Sequence, residues 1–174
     1  MIVPDDKDWT WVLDRPCPEC GFEAAAVPAG DVAALTRANA EVWQDLLEHG
    51  QIRPGRPDDA TWSSLEYACH VRDVFVRYDA RIALMLDEDD PRFPNWDQDA
   101  SAIEARYEEQ DPARVVAALA AAAEALAARL DAMTEDEWPR RGRRSDGASF
   151  TIDTIVRYMI HDPLHHVWDV TGSR

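Results

Sequence analysis

At 174 residues the chain fits one domain and can bury a real core. Its 46% hydrophobic content is too high for a disordered chain. Thirty-four acidic residues against eighteen basic ones leave a net charge of −16, a surface that repels phosphate backbones and anionic membranes and argues against a nucleic-acid partner.

The first 29 residues are broken by Pro4, Pro16, Pro18 and Pro28, while Trp9, Trp11, Val12 and Leu13 offer apolar surface. This reads as an irregular, Pro-rich arm laid on the rest. Asp5, Asp6, Lys7 and Asp8 leave the first ten residues without an apolar signal core, and no apolar stretch approaches the roughly 18 residues that span a bilayer. A soluble, cytoplasmic protein is expected.

Within the arm, Cys17-Pro18-Glu19-Cys20-Gly21 resembles one knuckle of a zinc ribbon. A structural zinc takes four ligands and no second such pair exists, so Cys69 and His49 are the candidates to complete it if the arm folds onto them. A redox pair, two surface thiols and a local disulfide are the alternatives for Cys17 and Cys20.

Asp31 can cap a first helix whose apolar residues Val32, Leu35, Val42 and Leu46 repeat with a helical period, ending at Gly50. Ser63 and Glu66 have capping-box spacing and open a second helix free of Gly and Pro to about Asp87. A short acidic helix fits between Asp97 and Glu109. Asp111-Pro112 starts an alanine-heavy third long helix running to Ala132, whose small side chains allow close approach of a neighbour. The last helix begins near Thr151. Alternation of Val, Ile or Thr between turn signals is missing, so no sheet is expected. The reading is an all-α, single-domain four-helix bundle over residues 1–174.

Three of the five histidines fall in His161-Asp162-Pro163-Leu164-His165-His166. Four residues of helix turn about 400°, so His161 and His165 lie one turn apart on nearly the same face and can share a metal ion. His166 sits roughly 140° from His161 and is left outside. His70, at the edge of the apolar face of the second helix, is the best third donor. Three imidazoles suit zinc, nickel, iron or cobalt and leave positions open for water or substrate. Asp73, Asp162 and Asp169 are within helical reach of these rings as orienting acceptors. Arg140, Arg141, Arg143 and Arg144 form a basic island before the last helix, in which Arg143 and Arg144 are candidate anion anchors; a solvated loop is the plainer reading. Trp62, Trp96, Trp138 and Trp168 either wall a pocket or fill the core.

From Trp62 to Asp73 and from His161 to His166, the chain resembles the metal-bearing stretches of the DinB/YfiT-like superfamily, and the likeness extends from about Asp31 to Val170. That resemblance implies a divalent metal, nickel or zinc, on His70, His161 and His165. It also implies a relation to thiol S-transferases, which use the metal to activate a low-molecular-weight thiol such as mycothiol or bacillithiol. The arginine-, alanine- and proline-rich composition, with Lys7 as the one lysine, has the look of a GC-rich genome and favours a mycothiol-like cosubstrate. A non-catalytic metal or small-molecule binding protein and a metal-dependent hydrolase are the alternatives. Family habit and the alanine-rich helix suggest a homodimer. Pro163 departs from the pattern by removing a helical donor between the two histidines, and so does the cysteine pair.

Overall fold

The computed structural model describes residues 8–172. Pro4, Asp5, Asp6 and Lys7 of the expected arm lie outside the described residues. Four long helices dominate: α1 (Val32–Glu48), α2 (Ser64–Asp87), α4 (Pro112–Asp131) and α5 (Ile152–Thr171), with a short α3 (Gln98–Glu104) between α2 and α4. Among the described residues, no helix is long and apolar enough to cross a membrane.

The local signals explain where these helices begin. Ser63 Oγ accepts from the Glu66 N–H and the Glu66 carboxylate accepts from the Ser63 N–H, closing the capping box of α2. Asp111 caps α4 with Pro112 in its first turn, and Thr151 opens α5 by reciprocal bonds with Thr154. Helix α5 runs unbroken through Pro163. Nearby, the buried Asn39 of α1 donates its amide to the Pro163 carbonyl at 2.9 Å, tying the two helices at the turn that carries the histidines.

Both α1 and α2 pack against α4 and α5, so α1 and α2 occupy opposite corners of the bundle despite being consecutive in sequence. Ala123 and Ala127 are buried where α4 passes between them, as close packing of small side chains requires. The core is filled by Trp43 of α1, Phe75 and Ile82 of α2, Leu119 and Leu126 of α4, and Ile155 and Met159 of α5. Val42, expected on the buried stripe, is instead 37% exposed, because the α1 stripe runs through Val32, Thr36, Asn39, Trp43 and Leu46.

Two features differ from the sequence-based expectation. The segment before α1 is not simply irregular: it forms 3-10 turns at Trp9–Leu13, Ala24–Ala26 and Ala29–Asp31, and buries Val12, Cys17, Phe22 and Ala24. A three-stranded sheet is also present, with β1 (Arg92–Phe93) parallel to β2 (Arg141–Arg144) and β2 antiparallel to β3 (Ser149–Thr151). In β2 the inward residues are Gly142 and Arg144, so no apolar alternation marks the strand.

Gly142 is pressed against α2. A Cβ there would stand 2.8 Å from Met85 Cγ and 2.9 Å from Phe93 Cε1. Gly142→Ala is expected to destabilise by about 1–2 kcal/mol, since Met85 can shift but Phe93 is pinned, and Gly142→Val by more; urea unfolding of the three proteins measures this.

Glu66 is 1% exposed and pairs with Arg56. Burial works against its charged form, yet the Arg56 guanidinium and the Ser63 donors outweigh burial and hold the carboxyl below its ordinary value of 4.5. Below that value the unfolded chain binds the proton first, so the stabilisation is fully present above it and is lost as pH falls through the folded-state pKa. Glu66→Gln is expected to cost about 1–3 kcal/mol near neutral pH. The gap from wild type should narrow in urea titrations as the pH falls progressively below 4.5.

Candidate metal centre

Helix α5 presents chemically active side chains on two adjacent faces. His161 and His165 are one turn apart, and Asp162 and His166 are one turn apart on a face rotated by about 100°. Each pair meets a different part of the chain. Among the described residues, donor atoms lying within 4.8 Å of one another form two groups: His70, Asp162 and His166, and Cys17, Cys20, His161 and His165. The three histidines expected to share one ion are thus divided, His70 in one group and His161 with His165 in the other.

In the first group, His70 Nε2 of α2 lies 3.1 Å from Asp162 Oδ1, which lies 3.4 Å from His166 Nε2. For metal bonds of about 2.1 Å, neighbouring ligand atoms stand about 3.0–3.4 Å apart, so these separations fit a common ion. The ring orientations are fixed from outside. His166 Nδ1 is 2.8 Å from Asp169 Oδ2; a carboxylate only accepts, so this contact puts a proton on Nδ1 and leaves Nε2, 3.4 Å from Asp162 Oδ1, as the nitrogen that would face an ion. His70 stacks on Trp96 at 5.0 Å with 8° between the planes and meets Trp62 at 5.3 Å. Tyr67 packs on His166 at 4.7 Å. Burial alone would raise the Asp162 carboxyl, but the adjacent His70 and His166 overcome it and hold the group far below the usual carboxylate range. Asp162 is therefore ionised beside these two rings.

In the second group, Cys17 Sγ lies 3.6 Å from His165 Nδ1. Burial, aided by the neighbouring His165, lowers the His161 pKa to about 4, and burial also lowers that of His165, so both rings are neutral at physiological pH.

A cavity of about 560 Å³ opens beside both groups, with Asp162, His161, His165 and His166 on one wall. His70 is fully buried behind that wall. Opposite charge comes from Arg81 and Arg144, both largely buried and both lining the cavity. Arg144 bonds Asp146 at 2.8 Å and the Tyr158 hydroxyl at 3.1 Å. Arg81 sits over Tyr78 and Phe93, donates to the Pro94 carbonyl, and forms no ion pair among the described residues.

Asp73 is spent on Arg72 and the Tyr107 hydroxyl and does not orient His70. Asp169 lies 2.8 Å from His166 Nδ1 through Oδ2 and 3.7 Å from His165 Nε2 through Oδ1. Arg143 is exposed and paired with Asp90, so only Arg144 of the basic island reaches the cavity; Arg140 instead bonds the Met85 and Glu88 carbonyls at the end of α2. Cys69 is buried against the Tyr107 carbonyl and His49 is exposed beside Asp45, so neither approaches Cys17 and Cys20. Trp62, Trp96 and Trp168 pack on histidine rings, whereas Trp138 does not. His166, Arg81 and Tyr158 were not anticipated. The identical four-residue spacing of Asp162 and His166 was the available signal for the first of them.

The fold is similar to a solved structure, YfiT from Bacillus subtilis, described as a probable metal-dependent hydrolase with an unusual four-helix bundle topology. The TM-score is 0.68 at 18% identity, covering 87% of this chain and 89% of that one. No curated protein matches the chain. The family model described as the DinB superfamily matches residues 35–170, which include α2 and the whole histidine-bearing turn of α5, and the chain therefore belongs to the DinB superfamily.

Proposed function

We propose that the protein is a metal-dependent enzyme in which His70, Asp162 and His166 hold a divalent ion, nickel or zinc, and that it transfers a low-molecular-weight, mycothiol-like thiol to an electrophile. The observation that carries this reading is the convergence of the three donor atoms beside a cavity large enough for a small molecule. Bound there, the ion would lower the pKa of a coordinated thiol or water. The donor set suits it, since two imidazoles and one ionised carboxylate leave coordination positions open.

The chain's own residues supply the rest. Asp169 holds the His166 tautomer, and the Trp62 and Trp96 rings hold His70 in place. Arg81 and Arg144 also line the cavity; Arg144 is paired with Asp146, so Arg81 is the better suited of the two to an anionic group on either substrate. Tyr158, whose hydroxyl is bonded to Arg144, is kept as a phenol because burial raises its pKa. A second reading, hydrolysis with water in place of the thiol, draws support from the description of the similar Bacillus subtilis structure. A non-catalytic metal-binding role predicts uptake without turnover.

His70→Ala and Asp162→Asn are expected to weaken nickel or zinc binding at this group by about 100-fold or more, measured by competition with a chelator. Metal-loaded wild type incubated with mycothiol and a reactive electrophile should consume thiol at a rate these variants lack. Equal rates in wild type and His70→Ala would remove the transferase reading. Ester or amide cleavage without thiol, lost in the same variants, would establish the hydrolytic one.

A further inference from the structure

We propose that Cys17, Cys20, His161 and His165 form a second metal site, a closed structural zinc site that fastens the segment before α1 to the final helix. The site is separate from the proposed catalytic group and does not depend on it.

Four donors of the right chemistry converge. Two thiols and two imidazoles, all with donor atoms within 4.8 Å of one another, match the ligand set of closed tetrahedral zinc. With zinc–sulfur bonds of about 2.3 Å and zinc–nitrogen bonds of about 2.05 Å, the sulfur–nitrogen edge of a tetrahedron is about 3.6 Å. The Cys17 Sγ to His165 Nδ1 separation is 3.6 Å. The cysteines are free thiols and not a disulfide.

The surroundings prepare the donors. Cys17 N–H donates to the Phe22 carbonyl at 2.8 Å, and Gly21 N–H donates to the Cys17 carbonyl at 3.0 Å, closing a knuckle in which Gly21 takes a φ of +78°. That turn aims both sulfurs the same way, and its left-handed residue favours glycine. His165 Nε2 faces the carboxylates of Glu19 at 3.4 Å and Asp169 at 3.7 Å, which favours the tautomer with the Nδ1 lone pair turned to the sulfurs. His161 is 4% exposed and packed under Trp9 and Phe22, and its Nε2 is buried without a hydrogen-bond partner among the described residues. A buried ring nitrogen left so is costly unless something is bound. Two thiolates also neutralise the zinc charge, as a buried ion requires. Binding releases the two thiol protons and forms two Zn–S and two Zn–N bonds, with no redox change.

The consequence is a long-range staple. Residues 17 and 20 join residues 161 and 165 across nearly the whole chain, and Trp9, which lines the cavity, is held by the same segment.

The test uses full-length protein loaded with cobalt(II) or zinc. Wild type and His70→Ala should both show an intense near-ultraviolet thiolate-to-cobalt charge-transfer band, and Cys20→Ser should lose it together with one metal equivalent per chain. Should Cys20→Ser fail to fold, wild type answers alone: titration with an organic mercurial should release one zinc in step with modification of two thiols. No thiolate band in wild type, an unchanged band in folded Cys20→Ser, zinc release without thiol modification, or a Cys17–Cys20 disulfide in the freshly purified protein would each overturn the proposal.

Discussion

One turn of α5 governs the chemistry of the molecule. Side chains at positions 161, 162, 165 and 166 form two pairs with the same four-residue spacing, offset by a single residue. An α-helix advances about 100° per residue, so the pairs face different directions and must find different partners. The Asp162–His166 face turns to α2 and meets His70, and the His161–His165 face turns to the segment before α1 and meets the cysteine knuckle. Everything that fixes α5 in rotation, including the Asn39 bond to Pro163 and the packing of Ile155 and Met159, also fixes which donors meet.

That offset also explains what could be read from the sequence. The helix boundaries carried local signals, such as the Ser63–Glu66 box and the Asp111-Pro112 start, and these are short-range chemistry that needs no knowledge of the fold. The presence of a histidine cluster on α5 and of His70 on α2 was equally legible. Which donors share a point was not, because spacing along a helix shows that two residues share a face without showing what that face touches. His161 and His165 looked like the pair because both are histidines; the carboxylate at 162 disguised the second pair. The cysteines lacked a partner in sequence because their partners lie more than 140 residues away, as in the Cys17–His165 contact.

The sheet was hidden for a related reason. Strand β2 alternates buried and exposed positions, but its inward residues are Gly142 and Arg144. Glycine is there because Met85 and Phe93 leave no room for a side chain, and arginine is tolerated because Asp146 and Tyr158 satisfy it. A basic run that looks like a solvated loop thus folds one guanidinium inward to the cavity and uses another, Arg140, to cap α2. Position within the run, not charge, decides which arginine serves which purpose.

The two donor groups are joined through Asp169. Its two oxygens face different rings, Oδ2 the His166 Nδ1 at 2.8 Å and Oδ1 the His165 Nε2 at 3.7 Å. A carboxylate so placed accepts from His166 Nδ1 and holds its negative charge near the His165 ring on the next face. Charge on either ring is therefore felt at the other through an oxygen pair on one rigid group, and the cavity wall between them is built from the same turn. Fastening the segment before α1 to His161 and His165 limits how far α5 can rotate or shift. The same limit applies to the backbone of Asp162 and His166, since both faces belong to one hydrogen-bonded helical turn that shifts as a unit.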